Sequence, residues 1–139
     1  MVVAAAGNEC TSGNQPHYPA AFPEVIAVGA TDQADQKASF SSIGSYLDFA
    51  APGVGILSTL NNNGYGPKSG TSMATPYVSA AAALTRAAHS NLSAISLCNQ
   101  LVRTADDLGA PDFDTSFGHG LVDPLEAVGP VDASGPTCT

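Results

Sequence analysis

The sequence predicts an α/β fold in which a parallel β-sheet is covered by helices on both faces. Two observations lead to this prediction: short apolar runs without polar alternation, and a long alanine-rich segment of helical composition. Continuous apolar runs are typical of strands buried on both faces, as in parallel sheets. Segments rich in Gly and Pro separate the runs, and the 139 residues contain no internal repeat. The length is that of one domain.

The predicted strands all lie in the first half of the chain. They are the apolar runs 2–6 and 25–30 and the shorter stretches 39–41, 47–50 and 56–60. Residues 9–23 have the composition of a loop, and NNNGYGPKSG at 61–70 is predicted to be a polar turn region.

Three helices are predicted, over residues 72–89, 93–105 and 122–128. Ser93 is the expected N-cap of the second helix. The first helix is so rich in alanine that it has little amphipathic contrast, which favours close packing on the sheet. Pro76 is expected in its first turn, where N–H groups have no intrahelical partners. Residues 130–139 are predicted to be a disordered tail.

Charge and composition exclude several classes of partner. Twelve acidic residues against four basic ones give a net charge of -8, which argues against binding to nucleic acid. No apolar run approaches the ~20 residues that span a bilayer, so no membrane partner is expected. The first ten residues, MVVAAAGNEC, lack the positive region of a secretory signal. Cys10, Cys98 and Cys138 allow one disulfide, with the pairing left open.

The stretch SGTSMATPYVSAAAAL, residues 69–84, puts two hydroxyl side chains at the start of the first predicted helix. Thr71 or Ser72 could be an ordinary N-cap, which stabilises a helix by about 1 kcal/mol. Alternatively Ser72 is a nucleophile, because the positive end of the helix dipole favours a developing negative charge. Taken by itself, this stretch leaves both interpretations open.

Seven ordered stretches together resemble the motifs of subtilisin-like serine proteases, the subtilases that include proteinase K. GTSMATP at 70–76 resembles the nucleophile motif, and AAGN at 5–8 resembles the oxyanion-asparagine motif. The other five are YP at 18–19, VIAVGA at 25–30, SFS at 39–41, APG at 51–53 and GHGLVD at 118–123. The match covers residues 2 to 128 and implies a serine endopeptidase that acts through an acyl-enzyme.

The resemblance also implies roles for individual residues. Ser72 would attack the scissile carbonyl, and the Asn8 side-chain amide would bind the oxyanion together with the Ser72 backbone N–H. The residues implied to contact the substrate are Ala5, Ala6, Gly7, Gly70 and Thr71.

Two members of the family's catalytic triad have no counterpart in the expected place. The family's aspartate and histidine both precede the asparagine motif, but only seven residues precede Asn8. The chain is therefore expected to be the C-terminal half of a subtilase domain, residues 1–129, and to be inactive and poorly stable alone. His17, His89 and His119 are expected to be structural or solvent-facing.

Partners and location follow from the same resemblance. The expected partners are a polypeptide substrate and the missing N-terminal half. The chemistry requires no cofactor, but the loop at 20–25 resembles a weak calcium site formed by main-chain oxygens of Ala20, Phe22 and Val25. An extracellular location is expected from the family alone.

Two other functions compete with this interpretation. Residues 70–74 nearly match the G-x-S-x-G elbow of α/β-hydrolases, and Asp114 and His119 follow in that fold's order, which would give a small esterase using Ser72. Against it, the segment GYGPKS before Ser72 is polar, whereas an elbow follows an apolar strand. The second alternative is a degenerate, non-catalytic protease half that acts as a binding module.

Overall fold

The computed structural model describes residues 1–61, 63–131 and 134–138. The strands are β1 (Val2–Ala5), β2 (Val25–Thr31), β3 (Phe49–Pro52), β4 (Ile56–Thr59) and β5 (Tyr65–Lys68). The helices are α1 (Thr71–Ala88), α2 (Ala94–Arg103) and α3 (Pro124–Ala127). Within the described residues, no helix is long and apolar enough to cross a lipid bilayer.

The first three strands form a parallel sheet in the order β1-β2-β3. Val2 lies opposite Val25, and Val28 lies opposite Phe49. Strands β4 and β5 form a separate antiparallel pair. The parallel sheet and the helices confirm the predicted α/β class.

Helix α1 packs across one face of the sheet and contacts all three of its strands. Its buried residues lie on one face of the helix, and they are Thr71, Ala74, Val78, Ala81, Ala82 and Thr85. The alanines and Val78 among them meet Val28 and Phe49 from the sheet in the main apolar core. Helices α2 and α3 pack against α1. Because most of the facing side chains on α1 are small, its backbone can lie close to the sheet.

Loops rather than helices cover the other face of the sheet. The second apolar cluster consists of Ala6, Ala20, Ala27 and Leu47, none of which is helical. Within the described residues the helices pack on the first face and loops on this one, as fits a partial α/β fold. The connections 6–24 and 32–48 are rich in Gly, Pro and polar residues and have no helical period, so they cross this face as irregular chain.

One strand prediction and one turn prediction are wrong. Residues 39–41 form a turn, in which the Ser41 hydroxyl accepts a hydrogen bond from the Ala30 N–H at 2.9 Å and so stays buried without strand pairing. Strand β5 lies where a turn is predicted, because Gly66 and Pro67 usually mark loops. It pairs only with β4, so Pro67 does not interrupt a central ladder.

The helix boundaries agree with prediction to within a few residues. Ser93 caps α2 as predicted, its hydroxyl accepting from the Ser96 N–H at 3.0 Å. Pro76 is the sixth residue of α1, so it lies in the second turn and not the first. The terminal helix is shorter than predicted and is capped by Asp123, whose carboxylate accepts from two backbone N–H groups.

The structure selects one of the three cysteine pairings. Cys98 on α2 forms a disulfide with Cys138, with their Cα atoms 5.9 Å apart, and Cys10 is free. The Cys138 N–H also donates to Asn99 Oδ1 at 2.9 Å. Residue 138 is thus attached to α2. Residues 132, 133 and 139 of the predicted tail lie outside the described residues, and its disorder stays a prediction.

Candidate active site

The first turn of α1 begins at a glycine rather than at a capping hydroxyl. The N-cap is Gly70, with φ 154° and ψ 159°, and no side chain of its own can cap the helix. A Cβ at this position would lie 3.6 Å from Asn8 Nδ2. The N-cap interpretation of Thr71 and Ser72 is therefore wrong, because both residues lie inside the helix.

Asn8 supplies the hydrogen bond that a capping side chain would have made. Its Oδ1 accepts from the Thr71 backbone N–H at 2.9 Å and from the Thr71 hydroxyl at 3.1 Å, across 63 residues of sequence. The Thr71 hydroxyl in turn accepts from the Gly7 N–H at 3.2 Å. With its oxygen engaged in this way, the carboxamide keeps its Nδ2 hydrogens as donors beside Gly70.

Ser72 is exposed and follows Thr71 directly in the helix. It lines two open cavities, one of about 310 Å³ with Met73 and Tyr77 and one of about 390 Å³ with residues of β1. As the second helical residue, Ser72 has a backbone N–H without an acceptor inside the helix. The structure thus brings a hydroxyl, a carboxamide and a free backbone donor to the same helix end.

The predicted substrate-contacting residues differ in their accessibility. Ala5 is half-buried and lines the second of these cavities, whereas Ala6, Gly7 and Gly70 are buried. Thr71 is fully buried, and its hydroxyl is engaged with Gly7 and Asn8. The Thr71 side chain therefore orients Asn8, and contact of Thr71 with a bound peptide stays a prediction.

Sequence reasoning missed a contact between the Glu9 and His17 side chains next to Asn8. His17 Nε2 lies 2.7 Å from Glu9 Oε2, and the same oxygen accepts from the Asn8 N–H at 2.7 Å. Gly7 makes room for the pair: a Cβ there would lie 2.7 Å from Glu9 Oε2 and 2.8 Å from His17 Cδ2. Gly7 also has φ +114°, which side-chain-bearing residues rarely adopt. The sequence contains no local signal for this pair, because an irregular loop separates its members.

None of the three histidines, all of which the structure describes, forms a hydrogen bond with Ser72. His17 is paired with Glu9, and His89 Nε2 lies 2.8 Å from the Gly129 carbonyl oxygen. His119 packs against the rings of Phe49 and Phe113, and burial lowers the pKa of its imidazole. Ser72 is therefore without a histidine base among the described residues.

The structure contradicts the esterase alternative. The Asp114 carboxylate accepts hydrogen bonds from backbone N–H groups of its own loop, at residues 110, 116 and 117, and not from His119. His119 lines a cavity with residues of α2, and Ser72 is not part of the wall of that cavity. A Ser–His–Asp relay requires consecutive hydrogen bonds, and this arrangement provides none.

The predicted calcium-binding loop borders a cavity of about 280 Å³. Phe22 and Val25 line it together with Asp48, which sequence reasoning missed, while Ala20 does not. Asp48 accepts from the Ala27 N–H at 2.7 Å and has no basic partner among the described residues. Burial raises the pKa of its carboxyl to about 6, against the lowering effect of the Ala27 hydrogen bond. Within the described residues, no three His, Cys, Asp or Glu side chains form a metal-binding group.

The chain matches known protein sequences over most of its length. The model of the Subtilase family matches residues 1–120. The chain is 48% identical over 124 residues to Subtilisin of Bacillus pumilus, which covers 88% of this chain and 44% of that protein. It is 48% identical over 124 residues to Subtilisin E of Bacillus subtilis (strain 168), covering 88% of this chain and 32% of that protein. It is 47% identical over 122 residues to Alkaline elastase YaB of Bacillus sp. (strain YaB), covering 88% of this chain and 31% of that protein. The chain thus spans less than half the length of these relatives.

Proposed function

The chain belongs to the subtilase family, and on that premise we propose that it carries the nucleophile and the oxyanion donors of a serine endopeptidase. Ser72 attacks the scissile carbonyl of a polypeptide, and the negative oxygen that forms is bound by Asn8 Nδ2 and the Ser72 N–H. The observation that carries this proposal is the engagement of Asn8 Oδ1 by Thr71, at 2.9 and 3.1 Å. It orients the amide so that its hydrogens, not its oxygen, are available for an anion.

The chemistry requires these donors to be in place before the reaction starts. Attack on a carbonyl puts negative charge on its oxygen, and a donor that is already oriented stabilises that charge without reorganisation. Thr71 is buried and has its backbone in the first turn of an 18-residue helix, so it is a rigid support for Asn8. The N-terminal end of the helix adds a favourable dipole at the same point.

The relatives extend beyond the segment that matches this chain. In this proposal, the general base and its orienting carboxylate come from a part of the protease that corresponds to the unmatched part of the relatives. Two features support docking of such a part. The outer edge of β1 has no strand partner among the described strands, and Val2 on it is 56% exposed. Beside it lies the cavity that Ser72 shares with Val3 and Pro76. A partner strand added to β1 would cover this edge and bring its side chains to Ser72.

A chimera tests the proposal. This chain replaces the matching segment of Subtilisin E, and hydrolysis of casein and of a peptide anilide is measured beside the isolated 139-residue chain. We expect the chimera to hydrolyse both substrates and the isolated chain to show no turnover above background, because a serine without a base is a poor nucleophile. Turnover by the isolated chain would contradict the division of roles. A folded but inactive chimera would favour the alternative of a non-catalytic binding module.

An extracellular location is part of the same proposal. It is supported by the Cys98–Cys138 disulfide, since disulfides persist in oxidising compartments and are rare in the reducing cytosol.

We further propose that the cavity beside Phe22 and Val25 binds calcium, with the Asp48 carboxylate as a ligand. Calcium prefers carboxylate and carbonyl oxygens, and both types are present in this part of the chain. The ion would serve stability and not the chemical step. The supporting observation is that Asp48 is a partly buried carboxylate without a basic partner in the described part of the chain.

Calcium is expected to raise the melting temperature of the chain. At a free calcium concentration about ten times the dissociation constant, the bound ion adds about 1.4 kcal/mol to the free energy of unfolding. For a chain of this length, that raises the melting temperature by about 4–6 °C. Melting is followed by circular dichroism in EDTA, in calcium and in magnesium. Asp48→Asn should remove the calcium effect, whereas Asp35→Asn, at an exposed aspartate, should retain it. An equal shift in both variants would rule out Asp48 as a ligand.

A further inference from the structure

The last described segment of the chain, residues 134–138, runs along helix α2 in the opposite direction to the helix. Gly135 lies beside Arg103 at the C-terminal end of α2, where a Cβ on the glycine would be 3.6 Å from Arg103 Cγ. The Cys138 N–H lies about one turn nearer to the N-terminal end of α2, where it donates to Asn99 Oδ1 at 2.9 Å. We call this segment the C-terminal strap.

The strap covers side chains of α2 that belong to the main apolar core. Cys98 and Val102, which are one helical turn apart, are each only 4% exposed. Cys138 packs against this core, and Pro136 lines a cavity of about 370 Å³ together with Val102. A second cavity, of about 500 Å³, is lined by Cys98, Cys138 and Ile26 among others. The strap thus forms part of the wall of both cavities, and its release would expose apolar surface of α2 to solvent.

The strap itself is exposed along most of its length. Residues 134–137 are all exposed, and Gly135 has φ +98°, a conformation that neither a helix nor a strand uses. A short exposed segment buries too little apolar surface to offset the entropy lost when it is ordered. The disulfide from Cys138 to Cys98 is therefore the contact on which the position of the strap depends.

We propose that the C-terminal strap is a redox-controlled cover of helix α2, closed by the Cys98–Cys138 disulfide and released when that disulfide is reduced. Cys98 is buried whereas Cys138 is half-buried, so the thiolate of a dithiol reductant attacks the Cys138 sulfur. A mixed disulfide forms there, and Cys98 leaves as a thiolate that takes up a proton. The second thiol of the reductant then displaces Cys138, so that two electrons and two protons pass from the reductant to the protein.

The state of the cover follows from the surroundings of the protein. It is closed in oxidising compartments and open in reducing ones, which agrees with the extracellular location proposed above. The mechanism requires neither Ser72 nor Asn8, so it can be tested without catalysis. The third cysteine, Cys10, is free and lies beside Lys37, 3.8 Å from its Nζ, so it provides an internal control.

Native-state hydrogen exchange of the 139-residue chain, oxidised and reduced, tests the proposal. We expect dithiothreitol to speed exchange of the α2 amides about 10-fold or more and to leave the buried turns of α1 unchanged, because only α2 loses its cover. Cys138→Ser should show the fast exchange without reductant, and Cys10→Ser should behave as the unmodified chain. Unchanged exchange in α2 would overturn the proposal. Equal acceleration in α1 and α2 would also overturn it, because a disulfide that only constrains the unfolded chain has that effect.

A dye that binds exposed apolar surface provides a second measurement. Fluorescence of anilinonaphthalene sulfonate should rise when the chain is reduced. A chain that ends at residue 133 should show the high fluorescence from the start and no response to dithiothreitol, and a response of this truncated chain would overturn the proposal. Thiol titration of the oxidised native chain should detect Cys10 alone, and detection of all three cysteines would contradict a closed strap. Where circular dichroism shows that the isolated chain is not folded, the same comparisons are made in the Subtilisin E chimera.

Discussion

Replacing Ser72 with alanine in the Subtilisin E chimera is expected to lower kcat by about 10⁶-fold, which is the magnitude measured for loss of the nucleophile in subtilisin itself. In the proposed mechanism the hydroxyl of Ser72 is the group that forms the acyl-enzyme. Ser72 is exposed in the first turn of α1, so its removal should not change the melting temperature. Initial rates of peptide anilide hydrolysis measure the loss.

A matched control is an exposed serine just beyond the other end of the same helix. Ser90→Ala should leave kcat and KM unchanged. A fluorophosphonate probe, which labels activated serines, should modify the chimera and the Ser90→Ala variant but not Ser72→Ala. Labelling or turnover that persists in Ser72→Ala would show that another residue is the nucleophile.

Replacing Asn8 with alanine in the chimera is expected to lower kcat by about 10²–10³-fold, again a magnitude measured in subtilisin. The loss should fall on kcat and not on KM, because the donor acts on an oxygen that is charged only in the transition state. The variant also loses the acceptor for the Thr71 N–H, so some loss of stability is expected. Steady-state kinetics and thermal melts measure both effects.

Asn8→Asp separates the two functions of this side chain. Aspartate keeps an oxygen for the Thr71 N–H and hydroxyl but has no hydrogens to donate, and its charge repels an oxyanion. We expect a melting temperature close to that of the unmodified chimera and a kcat at least as low as that of Asn8→Ala. Substitution of the exposed Asn91 by alanine serves as the control and should change neither quantity. A fully active Asn8→Asp variant would show that Asn8 only holds the start of the helix.

Strands β1 and β2 and helices α1 and α2 could all be predicted from the sequence, because their signals are local. Continuous apolar runs mark buried strands, and Ser93 marks the start of α2 through a hydrogen bond to a residue only three positions away. Strand β5 could not be predicted in this way. Its residues Gly66 and Pro67 have turn composition, and only pairing with β4 makes them a strand.

Sequence patterns were enough to establish the α/β class, the main elements and the resemblance to subtilase motifs that points to Asn8 and Ser72. How those residues are held emerges only from the folded chain. In the folded chain Asn8 Oδ1 accepts a hydrogen bond from Thr71, which is 63 residues away in the sequence. Folding also brings His17 into contact with Glu9 beside Gly7, and Cys138 into a disulfide with Cys98. The physical reason is that each of these contacts joins groups that are separated along the chain, and their energies depend on the final arrangement of the elements. Local propensity contains no information about that arrangement.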